Sequence, residues 1–136
     1  MSPALLAWLR LARVYHKVDR ASVAAMRQRG LTLAQFDVLA QVGAHPGATQ
    51  QELADALLVT KGNVCQLLDR LEAAGLLVRR QEGRANRVSL TAEGRRLHDA
   101  AVPAQETLVA ERFAALSPNE QRQLLGLLRK LDRARG

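Results

Sequence analysis

A single cysteine, Cys65, stands in a chain of 136 residues. No disulfide framework within one chain is possible, and a reducing compartment such as the cytoplasm is expected. Aromatic residues are scarce as well: one Trp, one Tyr and two Phe. Few aromatics beside many Leu and Ala point to helix-on-helix packing. No apolar run approaches the roughly 18 residues that a membrane helix needs, so no membrane span is expected. The apolar start of the chain is too short, and too interrupted by arginine, for a signal peptide. The three histidines, His16, His45 and His98, have no metal-ligand spacing, so neither a metal nor another cofactor is expected. No Ser-His-Asp set, Gly-rich phosphate loop or paired carboxylate site stands out, and Cys65 has no evident base, which argues against an enzyme. Acidic residues are the last shortage. Thirteen stand against twenty Lys and Arg, leaving a net charge of +7, and the pI is about 11.0. That balance favours a polyanionic partner.

What is present is organised around Thr49–Thr91, TQQELADALLVTKGNVCQLLDRLEAAGLLVRRQEGRANRVSLT. Thr49 stands three residues before Glu52, a capping box that starts one helix. Thr60 precedes a second helical pattern and is placed to cap its first turn. In that pattern Val64, Leu67, Leu68 and Leu71 fall at i, i+3, i+4 and i+7, one face of a helix. The opposite face carries Gly62, Gln66, Asp69 and Ala73, flanked by Asn63, Cys65 and Arg70. Gly75 sits where the helix end needs a residue tolerant of positive φ. Leu76–Arg80 and Arg87–Leu90 then read as two strands flanking the polar segment Gln81–Asn86, a hairpin with an arginine at its tip.

Helix, turn, helix and hairpin in this order point to DNA binding, with the second helix as the reader. Small residues for close approach, and amides and hydroxyls for base edges, suit a major groove. The candidate DNA-contacting residues are Thr60, Lys61, Gly62, Asn63, Cys65, Gln66, Arg70, Arg84 and Arg87. Around the hairpin, Arg79, Arg80, Arg84, Arg87, Arg95 and Arg96 face only Glu82 and Glu93 in sequence. Residues 1–30 hold six basic residues against one acidic, whereas residues 31–97 and 98–136 are each nearly balanced.

The remaining chain reads as helices. Pro3–Arg29 is uninterrupted and ends at Gly30. Leu5, Trp8, Leu9, Ala12 and Tyr15 form one apolar stripe, with Leu11, Val14 and Val18 on an offset side. Thr32 caps the pattern Leu33–Gly43, and the segment AHPGA after it reads as a loop. Thr91 caps a long helix that Pro103 is expected to interrupt. Ser117-Pro118-Asn119-Glu120 starts a last helix carrying Leu124, Leu125, Leu127, Leu128 and Leu131. The first and last helices present more apolar surface than a chain of this length hides alone. Such patches mark interfaces, and paired reading helices suit a palindrome. A homodimer is expected, with Leu5, Leu9, Leu124, Leu127, Leu128 and Leu131 as candidate interface residues.

These residues resemble the MarR family of winged helix-turn-helix regulators. The likeness runs through LTLAQFDVLAQVGAHPGATQQELADALLVTKGNVCQLLDRLEAAGLLVRR, then RVSLTAEGRRL and LSPNEQRQLLGLLRKL. It implies a mainly α fold with a small β-hairpin wing, a single domain over residues 1–136. Residues 31–97 would form the DNA-binding lobe, and residues 1–30 and 98–136 the helical dimerisation arms. The resemblance also implies a homodimer on double-stranded DNA, with reading helices in consecutive major grooves and wings at the minor grooves. It further implies repression relieved by a small effector, an aromatic anion by default, in a pocket between arms and lobe. Trp8, Arg13, Tyr15 and His16 are the candidate pocket residues. Two departures stand out. The family's Asp-Arg-Arg wing is shortened here, with only Arg84 matching its second arginine. Cys65-Gln66 replaces the usual Thr-Arg of the reading helix. The oxidant-sensing cysteine of one branch, in its N-terminal helix, is missing. Two other readings stay open: a winged-helix module for protein contacts without DNA, and a switch by oxidation at Cys65, where helix start and Lys61 favour a thiolate.

Overall fold

The sequence of caps and apolar stripes builds six helices and three short strands in a computed structural model that describes residues 1–57 and 61–134. Helix α1 spans Pro3–Arg27, its first turn capped by Ser2, whose Oγ accepts from the Leu5 amide at 3.1 Å. It ends two residues before the expected Arg29. The Gly30 amide donates to Arg27 and the Leu31 amide to Met26, each at 3.0 Å, so the last carbonyls are satisfied by the turn itself. Helix α2, Leu33–Ala44, starts with a full capping box between Thr32 and Gln35. The segment after it is not wholly loop. Ala48–Thr49 forms strand β1, leading directly into helix α3, Gln50–Leu57. The Thr49 hydroxyl accepts from the Glu52 amide at 3.1 Å, and Glu52 accepts back from the Thr49 amide at 3.4 Å.

Helix α4 spans Lys61–Ala73. Thr60, the expected cap, lies outside the described residues, as does the Lys61 side chain. Gly75 closes α4 at φ 77°, with its amide on Glu72 and the Leu76 amide on Leu71. A side chain there would meet the αL penalty, which glycine escapes. The hairpin consists of β2, Leu77–Glu82, and β3, Ala85–Leu90. Glu82 faces Ala85 across the ladder, so the turn is only Gly83-Arg84 rather than the six residues 81–86 expected from sequence. The strands continue through the polar positions because cross-strand pairing, not hydrophobicity, carries them. Strand β1 adds to β3 on its other side, with Ala48 opposite Val88, giving the order β1-β3-β2.

The core lies where these elements meet. Val64, Leu68 and Leu71 of α4 are buried against Phe36, Val38, Leu39 and Val42 of α2 and Leu53 and Ala54 of α3. Leu77 and Val88 close it from the sheet and Met26 from α1. Helix α5, Ala92–Arg112, enters the same core through Ala101. It was expected to be interrupted at Pro103, yet it runs through it. One missing amide removes a single ladder bond, which a helix anchored on both sides tolerates.

The two ends of the chain are bare by contrast. The N-terminal half of α1 and all of helix α6, Pro118–Arg133, have no buried residue. Leu127 and Leu131 are 62% and 68% exposed, Leu5 and Leu9 are also exposed, and Leu124 and Leu128 are half-buried. Among the described residues, no helix is long and apolar enough to cross a membrane.

One junction holds the hairpin to α5. The Thr91 hydroxyl donates to the Gly75 carbonyl at 2.6 Å and accepts from the Gly94 amide at 3.0 Å, while the Thr91 amide donates to Leu76. Gly94 presses so closely that an added Cβ would lie 1.8 Å from the Leu76 carbonyl oxygen. Gly94→Ala is therefore expected to destabilise the protein at or beyond the top of the usual range of about 1–3 kcal/mol for overpacking. Gly43→Ala meets only the His98 ring, at 2.3 Å, a side chain that can give way at the expense of its 2.9 Å contact with Asp99, and should cost less than a clash with backbone. Urea unfolding of the two variants beside wild type checks the ranking.

Candidate nucleic-acid interface

The spacing that buries Val64, Leu68 and Leu71 leaves the other face of α4 open. Gly62, Asn63, Gln66, Asp69 and Arg70 are exposed along it. Asn63, Gln66 and Arg70 share a shallow groove with Leu67 and with Ala34 at the start of α2. Cys65, expected among the DNA-contacting residues, is half-buried, and its sulfur accepts from Gln50 Nε2 at 3.0 Å. Its atoms are thus engaged by α3.

The hairpin divides its arginines by strand alternation. Arg84 sits in the turn, exposed, with no hydrogen bond or ion pair to other described residues. It borders a groove with Thr49, Gln50, Gln51, Ala85 and Asn86, between the hairpin tip and the start of α3. Gln51 and Asn86 were not foreseen. A polar residue at the first turn of a helix is a weak signal until a neighbouring strand is seen beside it. Arg87, also expected at the DNA, is committed elsewhere. Its Nη1 donates to the Gly47 carbonyl and its Nε pairs with Glu82, both at 3.0 Å. The cause is the register, which sets β1 and its preceding loop beside β3.

Arg79 was counted only as part of a basic excess. Its guanidinium reaches Asp69 at 2.5 Å and Glu72 at 2.8 Å, both on α4, and Gln50 Oε1 at 3.4 Å. Its backbone amide also donates to Glu72, at 3.1 Å. Arg96 pairs with Glu93. Of the six arginines expected to leave this region strongly positive, three are matched by carboxylates in space. Arg80, Arg84 and Arg95 keep exposed, unmatched charges among the described residues.

The four candidate effector residues do not gather. Arg13 and His16 line a shallow groove with Lys17 and Arg20, all on α1. Trp8 and Tyr15 are 63% and 64% exposed and lie outside it. At roughly 100° per residue, Trp8 and Tyr15 share one side of α1 and Arg13 and Lys17 another.

A buried three-helix stripe, an exposed reading face and a three-stranded wing define a winged helix-turn-helix regulator. A family model described as MarR family matches residues 29–87. An HTH-type transcriptional regulator of Bacillus cereus is 36% identical over 94% of this chain and 88% of its own length. Among solved structures, a MarR family protein of Mycobacterium tuberculosis in complex with DNA is 32% identical, with TM-score 0.76, covering 96% of this chain and 98% of that one. Bordetella bronchiseptica BpsR, whose DNA binding is regulated by 6-hydroxynicotinic acid, is 27% identical with TM-score 0.75, covering 90% and 98%. The chain belongs to the MarR family of transcriptional regulators.

The bridge between wing and reading helix carries a pH signature. The hydrogen bond from Arg79 holds the Glu72 carboxyl below its ordinary value of 4.5. A carboxylate lowered in the folded state stabilises the fold above its ordinary pKa, and the contribution fades as pH falls through the lowered one. The stability advantage of wild type over Glu72→Gln should be full at neutral pH and shrink below pH 4.5. Unfolding titrations of both proteins down through the acid range test this; an advantage that grows on acidification contradicts it.

Proposed function

We propose that this protein is a DNA-binding repressor, acting in the cytoplasm as a homodimer on a palindromic operator. The observations that carry the reading are the open face of α4 and an unpaired Arg84 at the wing tip, next to the start of α3. Gly62, Asn63, Gln66 and Arg70 offer close approach, amides and a cation to base edges and phosphates. Thr60 and Lys61 belong to the same turn by sequence. Arg84 reaches for the minor groove, and Arg87 contributes by holding the wing to the loop before β1. The relative solved on DNA supports the same use of the same fold.

Dimerisation follows from the bare apolar faces of α1 and α6, which a second copy covers. Leu5, Leu9, Leu124, Leu127, Leu128 and Leu131 form that seam. The effector is a small aromatic acid, in keeping with the regulation of BpsR. Its carboxylate is drawn to the groove that Arg13, Lys17 and Arg20 line with His16; Trp8 and Tyr15, on another side of α1, take no part in that contact. Binding there loosens the grip on DNA.

Fluorescence anisotropy with duplexes selected from genomic fragments tests the reading. Arg84→Ala should weaken binding to operator and to unrelated DNA alike. It should also reduce the slope of log K against log salt by about one per wing. Gln66→Ala should instead lower operator preference, by about 1–3 kcal/mol for a good base contact. An Arg84→Ala protein with unchanged affinity and salt slope would mean that the wing does not reach DNA. Leu127→Glu places a charge in the seam and should shift sedimentation at micromolar concentration from dimer to monomer.

A further inference from the structure

Asp69 and Glu72 lie one helical turn apart on α4, and both turn toward the first half of β2. There Arg79, 20% exposed at its side chain, meets both carboxylates and Gln50 of α3. Gln50 is itself 7% exposed and passes the contact on to Cys65, on the flank of the reading turn. Three elements are tied by one side chain: the wing strand, the helix before the turn, and the reading helix. The carboxylates are 64% and 39% exposed. Ion pairs so open to water contribute little stability. What they supply is direction. The attraction of the apolar stripe of α4 has no direction of its own, whereas the guanidinium, with one terminal nitrogen on both carboxylates and the other on Gln50, holds its partners at set places around one planar group.

We propose that Arg79 is a positioning residue for base reading: it fixes the rotation of α4 against the wing and α3, and so sets sequence discrimination without touching DNA. The inference rests on DNA binding by this chain. Strand alternation supports it, because Arg80 points to the opposite side of β2 from Arg79 and keeps the exposed charge. Glu72 is the main anchor, since it takes a bond from both the guanidinium and the backbone of Arg79.

The test uses the full-length protein. Wild type first selects a motif from a random duplex pool. Wild type, Arg79→Lys, Arg79→Gln and Glu72→Gln are then titrated on that motif and on a scrambled duplex at several salt concentrations, with circular dichroism as the check on folding. Arg79→Lys keeps the charge but loses the fork. It should lower the preference for motif over scrambled duplex about ten-fold, the scale of one good base contact. Its affinity for scrambled DNA and its salt slope should stay at wild-type values, because no phosphate contact is lost. Glu72→Gln, altered at the other end of the bridge, should move in the same direction, and this holds the test if Arg79→Gln fails to fold. A role in stability alone would lower the melting point and leave the preference of the folded protein unchanged. Folded variants with wild-type preference, or with a shallower salt slope, overturn the proposal. Wild type that selects no motif overturns the DNA-binding reading, and this inference with it.

Discussion

The burial of Val64, Leu68 and Leu71 is the contact on which the rest depends. Those side chains place α4 on α2 and α3, and the helical period then decides what the other side presents. The residues of α4 available for recognition, Asn63, Gln66 and Arg70 among them, are available because they lie round the helix from the buried face of Val64, Leu68 and Leu71. The same core fixes the hairpin through Leu77 and Val88, so the wing and the reading helix share one foundation. Burying apolar area supplies most of the favourable free energy. It leaves the finer angles to directional bonds, which are few here and concentrated at Arg79 and Thr91.

Charge follows the same logic of shared foundations. Arginine is abundant in the hairpin region, yet its members have different work. Arg79 joins elements, Arg87 holds the loop before β1 to β3, and Arg84 extends from the turn. The count of arginines therefore overstates the charge that the hairpin offers a polyanion. The hairpin is less positive than its arginines suggest, and its unpaired cations among the described residues are Arg80 and Arg84, with Arg95 nearby in sequence on α5. A long-range pull on DNA still follows from the total of +7, because distant phosphates respond to the sum.

Much of this was legible in the sequence because it is local. Thr32, Thr91 and Ser117 cap the helices they precede, and Gly75 takes the positive φ assigned to it. The i, i+3, i+4, i+7 spacing in α4 identified its buried side. Less legible were features set by residues distant along the chain. β1 is two residues long and exists only because β3 lies beside it. The hairpin turn is tighter than its polar stretch suggests, since pairing continues through Gln81 and Asn86. The roles of Arg79, Arg87 and Gln50 depend on partners up to 40 residues away, which no periodicity marks. The four effector candidates were grouped by nearness in sequence, and the helix separates them by angle.

The doublet Arg79-Arg80 illustrates how register and chemistry are kept apart. Successive residues in a strand face opposite ways, so a slip by one residue would exchange their surroundings. A slip one way brings Arg80 to the place of Arg79, and the carboxylates of α4 still meet an arginine; a slip the other way brings Val78. Leu77 has Leu76 and Val78 beside it, so burial alone marks the alignment weakly as well. The alignment is kept by the two-residue turn, with Gly83 at φ 64° and Glu82 opposite Ala85, because hairpin register is set by the turn. The tip of the wing thus holds in place the residues at its base.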